Sequence, residues 1–127
     1  MIAVLDTSAL IYWTLDPDKL SSPARDTLAQ TDHFVISSIS IWEIGLKVSR
    51  DQLSIPLSMR DYVDQLQRAQ GVEIVPVETE TWLANLALDW SHRDPADRTI
   101  VATAMLLNAP LLTSDRIIRQ FYPRAIW

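Results

Sequence analysis

The chain has 127 residues, enough for one domain with a substantial buried core. A hydrophobic share of 48% beside 21% charged residues fits a soluble globular protein, and no apolar run is long enough for a membrane span. A net charge of −5 excludes a general basic nucleic-acid coat, and the absence of cysteine excludes disulfides and thiolate metal sites.

The opening "MIAVLDTSALIYW" meets an aspartate at position 6 without a basic leader, so it does not read as a secretion signal, and a cytoplasmic location is expected. Within it, "IAVLD" (2–6) has the apolar run of a strand buried on both faces. "TSALIYWTL" then reads as a helix. A second helix is predicted over 22–30, with Ser22 as cap and Pro23 at the first helical position. "HFVIS" (33–37) is the second strand, and "SISIWEIGLKVSR" (38–50) is a helix by its apolar spacing at Ile41, Trp42, Ile44 and Val48. A loop follows, then an amphipathic helix over 59–70 stopped by Gly71.

"VEIVPV" (72–77) is the third strand. In 78–90, Trp82, Leu83, Leu86, Ala87 and Trp90 recur at helical spacing and predict one buried face. "HRDPADRTIVATA" (92–104) opens a helix running to about Leu107. "APLLTSD" (109–115) is a fourth strand with an acid just past its end, "RIIRQFYP" a short helix, and "RAIW" a short last strand. Strands and helices alternate throughout, without repeats or linkers. The expected fold is therefore a three-layer α/β/α domain over 1–127, with a central parallel sheet of four to five strands.

Ligands of open parallel sheets sit beyond the carboxyl ends of the strands. Asp6 and Asp115 fall at such ends. Asp94, Pro95 and Asp97 make a helix start. Asp94 suits the cap, Pro95 the first helical position, and Asp97 the first turn beside the positive helix end. Glu43 also has a purely structural account, because "SIWE" (40–43) matches a capping box with Ser40 as cap. Asp6 and Asp115 can likewise cap the helices that follow them. Each account stands singly, but none explains four acids at one rim of a small sheet. Two carboxylates about 4 Å apart repel by roughly 4 kcal/mol at an effective dielectric near 20, so such a cluster calls for protonation or a cation. Oxygen donors without cysteine favour Mg2+ or Mn2+ over Zn2+, and the matching chemistry is metal-assisted phosphodiester hydrolysis.

These segments, "VLDTSAL" (4–10), "SSISIWEIGLKV" (37–48), "HRDPADRTIVATA" and "LLTSD" (111–115), resemble the successive motifs of PIN domains. Within that family they look most like the VapC toxins of type II toxin–antitoxin systems. The resemblance spans nearly the whole chain, in order. It implies a PIN-like fold and a Mg2+- or Mn2+-dependent endoribonuclease that acts on RNA, forms a homodimer and is inhibited by a cognate VapB-like antitoxin. By motif, Asp6, Glu43, Asp97 and Asp115 are the metal-binding and catalytic acids, and Asp94 is the accessory aspartate of "DPxDR". Thr7, Ser8, Thr113 and Ser114 flank the acids and are candidates to hydrogen-bond carboxylates or phosphate. Arg98 is a candidate for contacting substrate or ordering the acids. One departure is Ala96, where an aromatic is common, and it bears on helix packing. All four acids are present, which argues against an inactive copy.

The remaining signals read as structural. His33 and His92 are ordinary polar residues, although His92 lies near enough in sequence to approach the cleft. The five tryptophans, Trp13, Trp42, Trp82, Trp90 and Trp127, are expected in the core or a dimer contact rather than under bases. Lys19 and Lys47 are the two lysines; they and most arginines read as solvated surface charge. Aspartyl-phosphate chemistry is disfavoured. A haloacid-dehalogenase-like site needs an acid at Ser8, and a receiver domain needs a late lysine, whereas none follows Lys47. The contrasting reading is a non-catalytic α/β interaction module whose acids only cap helices.

Overall fold

The computed structural model describes residues 1–127. Five strands form one fully parallel sheet: β1 (Ile2–Leu5), β2 (His33–Ser37), β3 (Val72–Val75), β4 (Leu111–Leu112) and β5 (Ala125–Ile126), in the spatial order β3-β2-β1-β4-β5. The chain builds outward from β1 to β3, then returns to the other side of β1. The switch point lies between β1 and β4, where the connections leaving the two strands diverge and open a crevice. Leu5 pairs with Leu112 at that edge, and the Asp6 N–H donates to the Leu112 carbonyl at 3.0 Å.

Alternation along the strands sends side chains to two helical layers. Val4, Val35 and Leu111 share one face and pack against Ile100, Val101 and Ala104 of α6 (Pro95–Leu106) and Ile118 of α7 (Arg116–Phe121). Ala3, Leu5 and Leu112 meet α1 (Thr7–Leu15) and α2 (Ser22–Gln30) on the other face. Ile36 packs there with Leu10, Ile44 of α3 (Ser38–Ser49), and Tyr62 and Leu66 of α4 (Met59–Arg68). The expected three-layer architecture with four to five strands is the one observed, with five.

Several local expectations change. Ser21, not Ser22, caps α2, its hydroxyl accepting from the Ala24 N–H at 3.2 Å; Pro23 shifts to the second helical position, where a missing N–H still costs nothing. Helix α4 ends at Arg68, before Gly71, whose φ of +79° serves the turn into β3. A Cβ there would lie 2.4 Å from the Asp32 carbonyl oxygen. Strand β3 stops at Val75 because Pro76 has no N–H for the ladder. The β4 ladder holds only two residues rather than the full 109–115 run, since the chain beyond it turns to cap α7.

The largest departure concerns α5 (Thr79–Ala87), shorter than the expected 78–90. Its buried residues are Thr81 and Asn85, while Trp82, Leu83 and Leu86 face outward, Leu86 at 77% exposure. The helix packs on α6, and the Asn85 amide donates to the Thr99 hydroxyl at 3.0 Å. A polar seam already joins the two helices, so the apolar stripe takes the outside. Trp13, Trp90 and Trp127 pack against the core, whereas Trp42 is 57% exposed and Trp82 43%, so of the expected roles, core or dimer contact, these two do not take the first.

Candidate active site

Asp6 leaves β1 at the switch point and becomes the N-cap of α1, its Oδ1 accepting from the Ala9 N–H and the Ser8 hydroxyl, each at 2.8 Å. The Thr113 hydroxyl, arriving from β4, donates to Oδ2. Ser114 closes the ring, its hydroxyl donating to Ser8 Oγ at 3.0 Å. Asp6 is 3% exposed, and burial pushes its carboxyl up to about 6 despite the hydrogen bonds from Thr113, Ala9 and Ser8; the charge of Asp97 adds to the rise.

The second acid is not a cap. Ser37 caps α3 through its bond from the Ile39 N–H, so the expected Ser40–Glu43 capping box does not form. Ser40 instead lies buried 2.9 Å from the Thr7 hydroxyl, which donates to Glu43. Glu43 is thereby turned toward β1 and away from its own helix start. Asp94 caps α6, with Oδ1 accepting from the Ala96 and Asp97 N–H groups, and Pro95 follows as anticipated. Buried Ala96 fits the packing of that first turn. Asp97 projects from the same turn and does not cap. Asp115 caps α7, accepting from Ile117 and Ile118.

Asp6, Glu43, Asp97 and Asp115 line one cavity of about 370 Å³, together with Thr7, Ser8 and Ser114. Asp97 is its electrostatic hub. Its charge raises the Asp6 and Glu43 carboxyls, and Asp115 and Asp94 in turn raise Asp97. In both Glu43 and Asp97 burial is the larger cause, opposed by hydrogen bonds from Thr7 and His92 respectively. Three neighbouring acids are thus held toward neutrality by burial and by one another, the condition a divalent cation would reverse. Their oxygens are not drawn into a tight knot. The one group of three or more ligand atoms within 4.8 Å is His92, Asp94 and Asp97. A cation such as Mg2+, which keeps several waters and binds few carboxylates directly, fits that looser arrangement.

The family description of PIN domains matches residues 3–122. The chain belongs to the PIN domain family. A relative named Ribonuclease VapC22, from Mycobacterium tuberculosis, is 28% identical over 125 residues, covering 97% of this chain and 95% of the relative. Among solved structures, a toxin–antitoxin complex from Klebsiella pneumoniae shares the fold with a TM-score of 0.70, at 19% identity, over 98% of this chain and 96% of that one. VapBC2 from Rickettsia felis, bound to a DNA fragment from its promoter, aligns with a TM-score of 0.68, at 20% identity, over 95% and 93%.

Several residues of this PIN domain take places that their sequence reading left open or missed. His92 is no bystander: its Nε2 lies 2.8 Å from Asp97 Oδ2, and its ring rests on Trp90, which stacks on Phe121 at 4.5 Å. It lies in the irregular segment before α6, where no periodicity marks it. Arg98 does not reach the cavity. Its guanidinium donates to the carbonyls of Asn85, Leu88, Trp90 and His92 and to Asn85 Oδ1, so of its two expected roles the bonds fit the ordering one, reaching Asp97 through His92. Lys19 and Lys47, read as surface charge, line the cavity. Lys47 had a signal in the sequence, being one helical turn after Glu43 on the same face.

Proposed function

We propose that residues 1–127 act as one PIN domain that cleaves RNA as the toxin of a VapBC-type pair, in the cytoplasm. The observation that carries this reading is the shared cavity of Asp6, Glu43, Asp97 and Asp115, four acids from four separate segments at the switch point of a parallel sheet. The relative's name, Ribonuclease VapC22, supports the same substrate class, and the solved toxin–antitoxin complexes support an antitoxin partner; assembly as a homodimer is part of this reading and rests on the motif resemblance.

In this reading Asp6, Glu43 and Asp97 hold Mg2+ or Mn2+, with Asp115 at the edge. The ion supplies positive charge against the phosphodiester and acidifies a water. The chain's own groups do the rest. Thr113 and Ser8 fix the Asp6 carboxylate from both sides, Thr7 aims Glu43, and His92 holds Asp97. Lys19 and Lys47 at the mouth offset part of the acids' charge for an incoming phosphate. No helix is long and apolar enough to cross a membrane.

Asp6→Asn is the decisive variant. The amide oxygen can keep the helix cap, so the fold persists while cleavage of single-stranded RNA in Mn2+ falls by more than about 100-fold, beyond what losing an outer-shell partner costs. Full activity in a folded Asp6→Asn protein would overturn the assignment and favour the interaction-module reading.

A further inference from the structure

A second groove joins the acid cavity along α3. It is about 470 Å³, shares Glu43, Lys47 and Gln52 with that cavity, and runs on to Trp42, Arg50 and Arg93. Trp42 and Leu46, four residues apart, line up along one stripe of α3 that continues into its C-cap Arg50, beside the stripe that carries Glu43 and Lys47. Arg93, in the segment before α6, stands on the opposite wall. The four ion pairs of the chain involve none of Lys47, Arg50 and Arg93, so in a protein of net charge −5 these three cations, set beside Glu43 and Asp94 in the same groove, are free to meet an anionic ligand. An indole 57% exposed beside them presents a bare aromatic surface.

We propose that this groove holds the single-stranded stretch of RNA flanking the scissile bond, one base stacked on Trp42 and backbone phosphates on Lys47, Arg50 and Arg93. The inference rests on the ribonuclease reading and names the part of the substrate that reading leaves open. Continuity with the acid cavity sets the direction of the strand, and charge complementarity identifies a polyanion. Stacking identifies a single strand, because paired bases in a duplex have no free face for an indole. Stacking needs only the π face that every base carries, so that step is tolerant of sequence.

Binding of a fluorescein-labelled single-stranded oligoribonucleotide of about ten residues, followed by anisotropy in EDTA, tests this without cleavage. Trp42→Ala weakens binding by about 5- to 150-fold, the range for loss of one base–aromatic stack, and Trp42→Phe restores most of it. Arg50→Ala and Arg93→Ala each lower the slope of log affinity against log salt by about 0.7, whereas Trp42→Ala leaves the slope alone. Unchanged affinity in Trp42→Ala and Arg93→Ala, while the wild type cleaves RNA in Mn2+, overturns the groove and spares the ribonuclease reading. Binding that depends on Trp42 in a wild type that cleaves nothing does the reverse, and a wild type that neither binds nor cleaves overturns both. A change of molecular mass in Trp42→Ala without change in RNA affinity assigns Trp42 to a contact between copies and also overturns the proposal.

Discussion

Helices α5 and α6 lie side by side and carry similar apolar patterns, yet they meet opposite fates. α6 rests on the sheet and buries Ile100, Val101, Ala102 and Ala104 completely, with Val4, Val35 and Leu111 beneath. α5 rests on α6 through Thr81 and Asn85 and turns Trp82, Leu83 and Leu86 outward. An apolar stripe states that a face seeks cover; what lies opposite decides whether it finds any within the chain. Here the seam between the helices is polar because Arg98 and Asn85 tie down the segment that carries Trp90 and His92 toward Asp97. The two helices therefore divide their labour: one supplies core, the other holds a connection that shapes the cavity.

That contrast can be pressed experimentally. Ile100→Ala on α6 is expected to cost about 2–5 kcal/mol in chemical denaturation, as deletion from a fully buried site does; a loss below 1 kcal/mol would show that the α6 face is loosely packed. Where the first turn of α6 faces the end of β1 the core gives way to charge, and the contribution of Asp6 there depends on pH. The folded Asp6 carboxyl, at about 6, lies above the 3.8 of a free aspartate, so between those values the folded chain holds a proton the unfolded chain has released. Metal-free stability due to Asp6 is thus fully present below pH 4 and is lost as pH rises through 6, by up to about 3 kcal/mol. Glu43 and Asp97 shift in the same direction. The difference between wild type and Asp6→Asn across pH 4–8 in EDTA measures it, and Mn2+ should restore stability at pH 7 but not at pH 4.5. A wild type that gains stability over Asp6→Asn as pH rises would contradict the burial account.

On α5 the polar seam is the more sensitive side. Asn85→Ala leaves the Arg98 Nε–H and the Thr99 hydroxyl without their partner, and about 1–3 kcal/mol is expected to be lost, read by urea denaturation. Leu86→Gln on the outer stripe should stay within about 0.5 kcal/mol. A larger loss that depends on protein concentration would show the stripe covered by another chain in solution.

Much of the architecture was legible from residue order. The short runs at 2–5, 33–37 and 72–75 reappear as strands; that at 2–5 is apolar throughout because β1 lies in the middle of the sheet with both faces covered, whereas the edge strand at 72–75 carries the exposed Glu73. "DPAD" read as a capped helix start is one, because the aspartate oxygen and the proline ring satisfy the same local backbone demand in any context. Local reasoning went astray where two local solutions compete. Ser37, Ser38 and Ser40 can each cap α3, and the one that wins is set by the sheet register that ends β2 at Ser37. Once Ser37 takes the cap, Ser40 is free to pack against Thr7 and Glu43 to enter the cavity.

The cavity separates the two kinds of information. Which residues are acids, and that Asp6, Asp97 and Asp115 stand at strand or helix termini, follows from one-dimensional order, since termini are marked by short-range backbone chemistry; Glu43, inside α3, carries no such mark. That Thr113 reaches Asp6 across 107 positions, that His92 rather than Arg98 turns to Asp97, and that α3 opens a basic, indole-bearing groove beside Glu43, arise only when β1 and β4 become neighbours and α6 settles on the sheet. Those arrangements, short in sequence for His92 and Asp97 and long for Thr113 and Asp6, are choices among side chains of similar local propensity, and close packing in three dimensions, not spacing along the chain, selects between them.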